Sequence, residues 1–451
     1  MTPARRNPAV GVVATTGLDL VWEDVADLVD VVEVEPQTMW TPRPGGGWDI
    51  AEPGFRWVEA CAKPTLVHGI GFPVGGCEPP DPGGVALTAA CADRLGAIHW
   101  SEHLSFNRVH IDGRAVDAGF LLPPAQTEAG VEAAVDHVKT YQRCGARQFC
   151  IETGVNYLRP RTGEIADGRF IATIAERADC AILLDLHNLI SNERNGRQSV
   201  VEVLSELPLE RVLEIHIAGG FELDGYYLDA HVGGPDLELL AMLEAVIPRL
   251  SSLRAVVFEV VPESLIMLGA KGLRSVLETL HQICDRTPVG SGLRRPWAQQ
   301  ACNIRSPRVA QRLSSNQLGE AEPCPDGHAA TREWERQLAA YTARIRSEPP
   351  AADSGLALLR TLADQARLGQ LGLARPQLLQ SLIRTYGVVE AERLLWDYLN
   401  MFSPKRWSTD EGDQFATWCS ALHVESAAAA TTGDNSASLP THLRRSAGMS
   451  A

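Results

Sequence analysis

Three pairs of an acid and a histidine two residues apart stand out in the 451-residue chain: Asp185 with His187, Glu214 with His216, and Asp229 with His231. In extended backbone, residues i and i+2 project to the same side, so each pair is expected to converge on one point. A carboxylate beside an imidazole either binds the same metal or orients the ring that does. The same chemistry recurs at His68, at Glu102-His103, at Glu152, at Asn188 and at Glu259. Any one of these residues alone reads as an ordinary satisfied polar group. Gathered at one place they would be costly to bury without cations. The expected site is therefore a multinuclear metal centre of imidazoles and carboxylates with no thiolate among its ligands, which suits iron, manganese or zinc. One ion does not need so many donors, and Glu152 is the expected bridge between neighbouring ions.

The elements that must position these groups are short β-branched runs alternating with amphipathic helical stretches. The runs are Ala9–Ala14, Val31–Glu35, Thr65–Gly69, Ala97–Ser101, Gln148–Glu152, Ala181–Asp185, Val212–His216 and Ala255–Glu259. Near-continuous apolar runs of this length are read as parallel strands buried on both faces. Eight such units predict an α/β fold, a TIM-type (β/α)8 barrel, over residues 1–286, whose active site belongs at the C-terminal ends of the strands. Each of strands three to eight delivers one of the groups named above at that rim. No Gly-rich phosphate fingerprint follows the first strand, which disfavours a doubly wound sheet.

The pattern changes near Thr287. Residues 287–330 are rich in Pro, Gly, Ser and Arg and read as a linker or a wrap over the barrel. Residues 331–425 read as a C-terminal all-α helical domain, with a stripe of Trp334, Leu338, Tyr341 and Ile345 on its first helix. Its last helix is expected to start after Ser408, where Ser408 and Glu411 have the spacing of a capping box. Residues 426–451 read as a disordered tail.

Residues 1–290 carry 23 Lys and Arg against 40 Asp and Glu, so this region has no basic footprint for nucleic acid. No apolar run is long enough to span a membrane, and the N-terminus lacks a signal-peptide core, so a cytoplasmic address is expected. The ten cysteines include no C-x-x-C pair, which argues against a zinc ribbon, an iron–sulfur run or a thioredoxin motif.

Six segments stand in order along the chain: His68-Gly69-Ile70-Gly71, Ser101-Glu102-His103-Leu104-Ser105-Phe106, Ile151-Glu152-Thr153, Leu184-Asp185-Leu186-His187-Asn188-Leu189, Glu214-Ile215-His216-Ile217-Ala218-Gly219 and Asp229-Ala230-His231. Together, over about residues 8–285, they resemble the multinuclear non-heme iron-dependent oxidative enzymes, the group that includes the methanobactin-biosynthesis oxidase. The resemblance implies two or three iron ions of mixed Fe(II)/Fe(III) state, O2 as co-substrate, and oxidation of a ribosomally made precursor peptide at cysteine. It implies His68, His103, Glu152, Asp185, His216, Asp229, His231 and Glu259 as metal ligands; His187 is expected to join them, and Glu152, Asp185 and His216 are the expected catalytic set. Glu102, Asn188 and Glu214 are expected to contact substrate or support the ligands. Relatives often have two asparagines where this chain has His187-Asn188, and Glu-Asn where it has Glu152-Thr153. The family works with a partner protein that binds the peptide leader, a role the fused helical domain could fill. Trp334, Tyr341, Trp396 and Tyr398 would then line a groove, although aromatics at helical spacing read first as a bundle core. The alternative is a zinc- or manganese-dependent TIM-barrel hydrolase or isomerase of the xylose-isomerase-like kind.

Overall fold

The computed structural model describes residues 7–43, 47–290 and 323–432. Eight parallel strands close into a TIM barrel: β1 (Ala9–Val13), β2 (Val31–Val34), β3 (Thr65–Gly69), β4 (Trp100–His103), β5 (Phe149–Glu152), β6 (Ala181–Asp185), β7 (Val212–Ile217) and β8 (Ala255–Phe258). Each strand pairs with the next in the chain, and β8 closes on β1 with Phe258 opposite Val12. The strands are buried on both faces, as their continuous apolar runs require. The fourth begins three residues later than the β-branched pattern suggests, because Ile98 turns outward and is 38% exposed.

Side chains of Val13, Val31, Leu66, Ala255 and Val257 pack together as one cluster of the barrel core. Helices between strands bury one face and are capped at their first turns. Thr127 accepts from the Gly130 amide at 2.9 Å to start Glu128–Cys144, and Asp236 accepts from Leu239 at 2.9 Å to start Leu237–Val246. Ser199 and Glu202 form a reciprocal capping box.

Among the described residues, one compact unit holds residues 7–40, 47–106, 123–290 and 323–334, and a second holds 41–43, 107–122 and 335–432. The second unit takes in most of a hairpin, Phe106–Ile111 with Arg114–Leu122, that departs just after β4. Strand Arg114–Leu122 packs on helix Ser354–Ala374, and Asp117 meets Arg406 at 3.1 Å. Helices Pro376–Tyr386, Val388–Met401 and Ser408–Thr432 complete the C-terminal helical region. Their core contains Leu371, Leu382, Leu394, Tyr398, Leu399, Phe415 and Trp418. Tyr398 is thus a core residue rather than part of a groove.

Several expectations for this half need correction. Most of the expected linker, residues 291–322, lies outside the described residues, as do residues 433–451 of the expected tail. The tail's first residues are instead helical, since Ser408–Thr432 runs past residue 425. The expected stripe breaks at its end. Helix Gly327–Thr342 stops before Ile345, which is 46% exposed, because Arg344 adopts a left-handed φ of 59°. Trp334 belongs to the first unit, where the Arg161 guanidinium lies 3.3 Å over its ring. Glu411 is no capping partner either: its carboxylate takes Arg367 at 2.7 Å and the Lys405 amide at 2.6 Å. A buried guanidinium outcompetes a helix N-terminus for that acid. Among the described residues no helix is long and apolar enough to cross a membrane.

Candidate metal centre

The strand ends of the barrel bring the expected residues to one place. His68 ends β3 but for one glycine, His103 ends β4, Glu152 ends β5, Asp185 ends β6 and His216 lies one residue short of the end of β7. Glu259 follows β8, and its amide continues the ladder onto Ile217 at 2.9 Å. Among the described residues three groups have ligand atoms all within 4.8 Å of one another: Glu33, Glu214 and His216 in a deeper layer, and at the rim His68, His103 and Glu152, and Glu152, Asp185, His216 and Glu259. Glu152 belongs to both rim groups. Its Oε2 lies 3.2 Å from His68 Nε2 and 3.0 Å from His103 Nε2, and its Oε1 lies 3.4 Å from His216 Nδ1. His216 Nδ1 is also 3.2 Å from Glu259 Oε2.

Asp229, His231 and His187 form a looser arm beyond these groups. His231 Nδ1 lies 3.3 Å from Glu259 Oε1, His231 Nε2 lies 2.8 Å from Asp229 Oδ1, and His187 Nε2 lies 3.6 Å from the same Asp229 oxygen. A hairpin of Gly220–Leu223 and Tyr226–Asp229 delivers Asp229, whose amide donates to the Tyr157 hydroxyl at 3.0 Å. Gly220 is required beneath it: a Cβ there would sit 2.8 Å from the His187 ring.

The spacing argument of two residues on one side of a strand holds for Glu214 and His216 on β7 and for neither of the other two pairs. Asp185 is the N-cap of helix Leu186–Arg194, so His187 has already left the strand direction. Glu214 does point inward with His216, but one layer deeper in the barrel, where its Oε2 meets His99 Nε2 at 2.8 Å. His231 faces the site from a left-handed φ of 51°, a strained conformation for a non-glycine residue.

Supporting groups explain how the rings are aimed. Ser101 Oγ lies 2.8 Å from His68 Nδ1, and the Gly69 carbonyl lies 3.0 Å from His103 Nδ1, so both rings turn Nε2 toward Glu152. Glu102 serves the scaffold: its Oε2 accepts from the Phe72 amide at 3.1 Å and from the Tyr141 hydroxyl at 3.2 Å. The Asn188 amide donates to Asp185 Oδ1 at 2.7 Å. Thr153 Oγ1 accepts from the Asp185 amide at 2.9 Å. The sequence reading missed Glu33, on β2, and His99. Glu33 is fully buried with Oε1 2.9 Å from His216 Nε2. An acid inside the apolar run Val31–Val34 was the available signal.

The electrostatics alternate. Burial opposes ionisation of Glu152, but His103 and His68 overcome it and hold its carboxyl well below the usual range. Burial likewise opposes ionisation of Glu259, yet His231 and His216 hold it at about 2. Burial opposes charge on His216 and His231 too, and is outweighed by Glu33 for the first and by Asp229 and Glu259 for the second, so both rise well above the imidazole range. Asp185, buried and facing Asp229 and Glu152, is pushed well up. Burial and the nearby Glu214 raise Glu33 to about 7.

The donor set fits metal ions. His68 Nε2, Glu152 Oε2, Asp185 Oδ2, His216 Nδ1 and Glu259 Oε2 are buried and make no hydrogen bond, although they face one another at close range. Lone pairs converging in this way lack the cation that would satisfy them. All are nitrogen or oxygen donors.

Known proteins place the chain. Residues 22–267 match the model of the RiPP precursor modification enzymes MbnB/TglH/ChrH. A UPF0276 protein of Chromobacterium violaceum is 32% identical over 205 residues, covering 46% of this chain and 72% of that one. A UPF0276 protein of Streptomyces avermitilis is 30% identical over 239 residues, and the match spans 46% of this chain and only 49% of that protein's length. Among solved structures, endonuclease IV from Thermus thermophilus is 20% identical over 61% of this chain and 100% of its own, with a TM-score of 0.40. D-psicose 3-epimerase from Clostridium cellulolyticum is 14% identical over 62% of this chain and 95% of its own, with a TM-score of 0.38. The family match contains every strand end that carries a ligand candidate, from His68 to Glu259, and with it this chain belongs to the MbnB/TglH/ChrH family of RiPP precursor modification enzymes.

Proposed function

We propose that this chain is a multinuclear iron-dependent oxidase that uses O2 to modify a ribosomally synthesised precursor peptide at cysteine. The observation that carries the reading is Glu152, a buried carboxylate shared by two ligand groups built only from imidazoles and carboxylates. Family membership supports the peptide as substrate class. Bound iron would supply a Lewis-acidic position for a cysteine thiolate and one-electron exchange with O2, the terminal electron acceptor.

Within this reading, His68, His103 and Glu152 hold one ion, and Glu152, Asp185, His216 and Glu259 hold a second. Asp229, His231 and His187 stand ready for a third. Ser101 and the Gly69 carbonyl fix the rings of the first group, and Asn188 and Thr153 fix Asp185, so ligands are in place before substrate arrives. The helical unit serves capture of the precursor or its leader.

The test is elemental analysis of anaerobically purified protein, followed by incubation with a cysteine-containing precursor under air and under argon. Iron in the protein and O2-dependent loss of mass from the peptide are expected. Stoichiometric zinc with full activity in the absence of O2 overturns the proposal in favour of a zinc-dependent hydrolase or isomerase.

A further inference from the structure

We infer that Tyr157 is a positioning residue whose hydroxyl holds the backbone of Asp229 and so sets the outer arm of Asp229, His231 and His187 for an ion of its own. This rests on the proposed reading of the site as a metal centre, and it concerns how one ligand is held rather than which metal is bound.

No barrel strand carries Asp229. It ends the hairpin of Gly220–Leu223 and Tyr226–Asp229, a two-stranded sheet of its own, so ladder bonds within the barrel do not place it. The hairpin turns through Asp224 and Gly225, both left-handed with φ of 51° and 81°, the two-residue turn that closes on a hydrogen-bonded pair. Bonded and non-bonded pairs alternate from there. Leu223 bonds with Tyr226 and Phe221 with Leu228, whereas Tyr227 and Asp229 turn their amides away from the partner strand. Those two amides need acceptors from outside the hairpin. Asn195 Oδ1 accepts from Tyr227 at 2.8 Å, and the Tyr157 hydroxyl accepts from Asp229 at 3.0 Å.

Asn195 grips the hairpin upstream of the ligand, and its Nδ2 donates back to the Tyr227 carbonyl at 2.8 Å. Tyr157 grips the ligand residue itself. It comes from the loop after β5, the strand that ends at Glu152. Its neighbours fix that loop: the Asn156 amide donates to Asn192 Oδ1 at 2.7 Å, and the Arg197 guanidinium donates to the Leu158 carbonyl at 2.8 Å. The Tyr157 side chain is buried, edge-on to Tyr226 with ring centroids 6.4 Å apart. Its hydroxyl therefore ties the backbone of the arm's carboxylate to the segment that carries the shared one. The arm needs such a hold. Asp229 Oδ1, His231 Nε2 and His187 Nε2 are buried without a hydrogen bond, and both rings face that one oxygen, at 2.8 and 3.6 Å. A shift of the Asp229 backbone would take the oxygen out of this convergence.

The experiment titrates Co(II), which accepts nitrogen and oxygen donors, into the metal-stripped full-length chain under argon and follows heat and visible absorption. Asp229→Ala identifies the equivalent bound by the outer arm through the loss of its step and its band. Tyr157→Phe keeps the ring and removes the hydroxyl. It should weaken that equivalent by about 10–100-fold and leave the others within about twofold. In the Asp229→Ala background it should change metal binding no further, because the carboxylate it positions is gone. Wild-type affinity for the arm's equivalent in Tyr157→Phe overturns the inference. So does an equal loss at every equivalent, a further loss in the double variant, or a Tyr157→Phe chain that does not fold, since each makes the residue part of the scaffold only. A wild-type Co(II) titration that Asp229→Ala leaves intact fails differently: the outer arm then holds no ion, and its reading as part of the metal centre falls.

Discussion

Glu152 Oε1 faces His216 Nδ1 at 3.4 Å while the other oxygen of the same carboxylate faces His68 and His103. The two ligand groups therefore depend on one side chain, although their histidines come from strands β3, β4 and β7. Removing it should disturb both groups together, whereas removing His68 should disturb one.

Glu152→Ala is accordingly expected to lose metal from both positions and to lower turnover by more than about 100-fold, beyond what supporting residues cost. Far-UV circular dichroism should be unchanged, since rim residues are placed for chemistry rather than for core packing. Metal content per chain, compared with His68→Ala, checks the sharing. Equal losses in the two variants would contradict it.

As isolated under anaerobic conditions, the chain is expected to carry about two to three iron ions, part of them ferric. Elemental analysis with Mössbauer spectroscopy measures both numbers. A single iron would remove the bridging role assigned to Glu152.

Metal uptake should release protons. In the metal-free chain the pairing of His216 with Glu33, and of His231 with Asp229 and Glu259, outweighs burial and keeps both rings protonated above the usual imidazole range. The ion displaces those protons, so affinity should rise as pH rises through the raised values and fall as pH drops. The metal-free fold responds with the opposite sign: stabilisation from these raised histidines is complete below the unfolded imidazole pKa and lost as pH climbs past the folded ones. Zn(II) titration calorimetry in buffers of different ionisation enthalpy counts the protons. No release would mean that the rings are neutral before metal arrives.

In the helical unit, Arg367 and Glu411 form a fully buried pair at 2.7 Å, with the Arg367 guanidinium also donating to the Leu399 carbonyl at 3.3 Å. Glu411→Ala leaves the guanidinium buried without its partner and should destabilise this unit by about 3–5 kcal/mol. The double variant Arg367→Met, Glu411→Leu should recover much of that loss. Thermal unfolding of the three proteins tests it, and a Glu411→Ala midpoint equal to wild type would be the contrary result.

The capture role assigned to the helical unit predicts slowed amide exchange within residues 335–432 when precursor peptide is added to the full-length chain. Hydrogen–deuterium exchange is preferable to truncation here. Strand Arg114–Leu122 packs on helix Ser354–Ala374, so a chain cut at residue 334 would strip that strand of its support. Protection confined to the barrel rim would assign the helices a structural role.

The sequence by itself determined the barrel and most of the imidazoles and carboxylates at its rim. Parallel strands buried on both faces must be short apolar runs, and an acid or histidine ending such a run has only the C-terminal face to occupy. That logic is local, so it reached His68, His103, Glu152, Asp185, His216 and Glu259 one strand at a time. Tertiary structure alone decided what those residues share. Strand closure places Glu152 between two histidine groups and brings Glu33 of β2 against His216 of β7, a pairing that no sequence spacing encodes. Of the acid–histidine pairs, Glu214 and His216 keep the two-residue period on β7, whereas Asp185 with His187 turns through a helix cap and His231 through a left-handed residue, conformations set by surrounding packing. Hairpin residues 107–122 and the acid Glu411 follow the same rule. Their partners, helix Ser354–Ala374 and Arg367 within it, are distant in sequence, and burial there overrides the local signal.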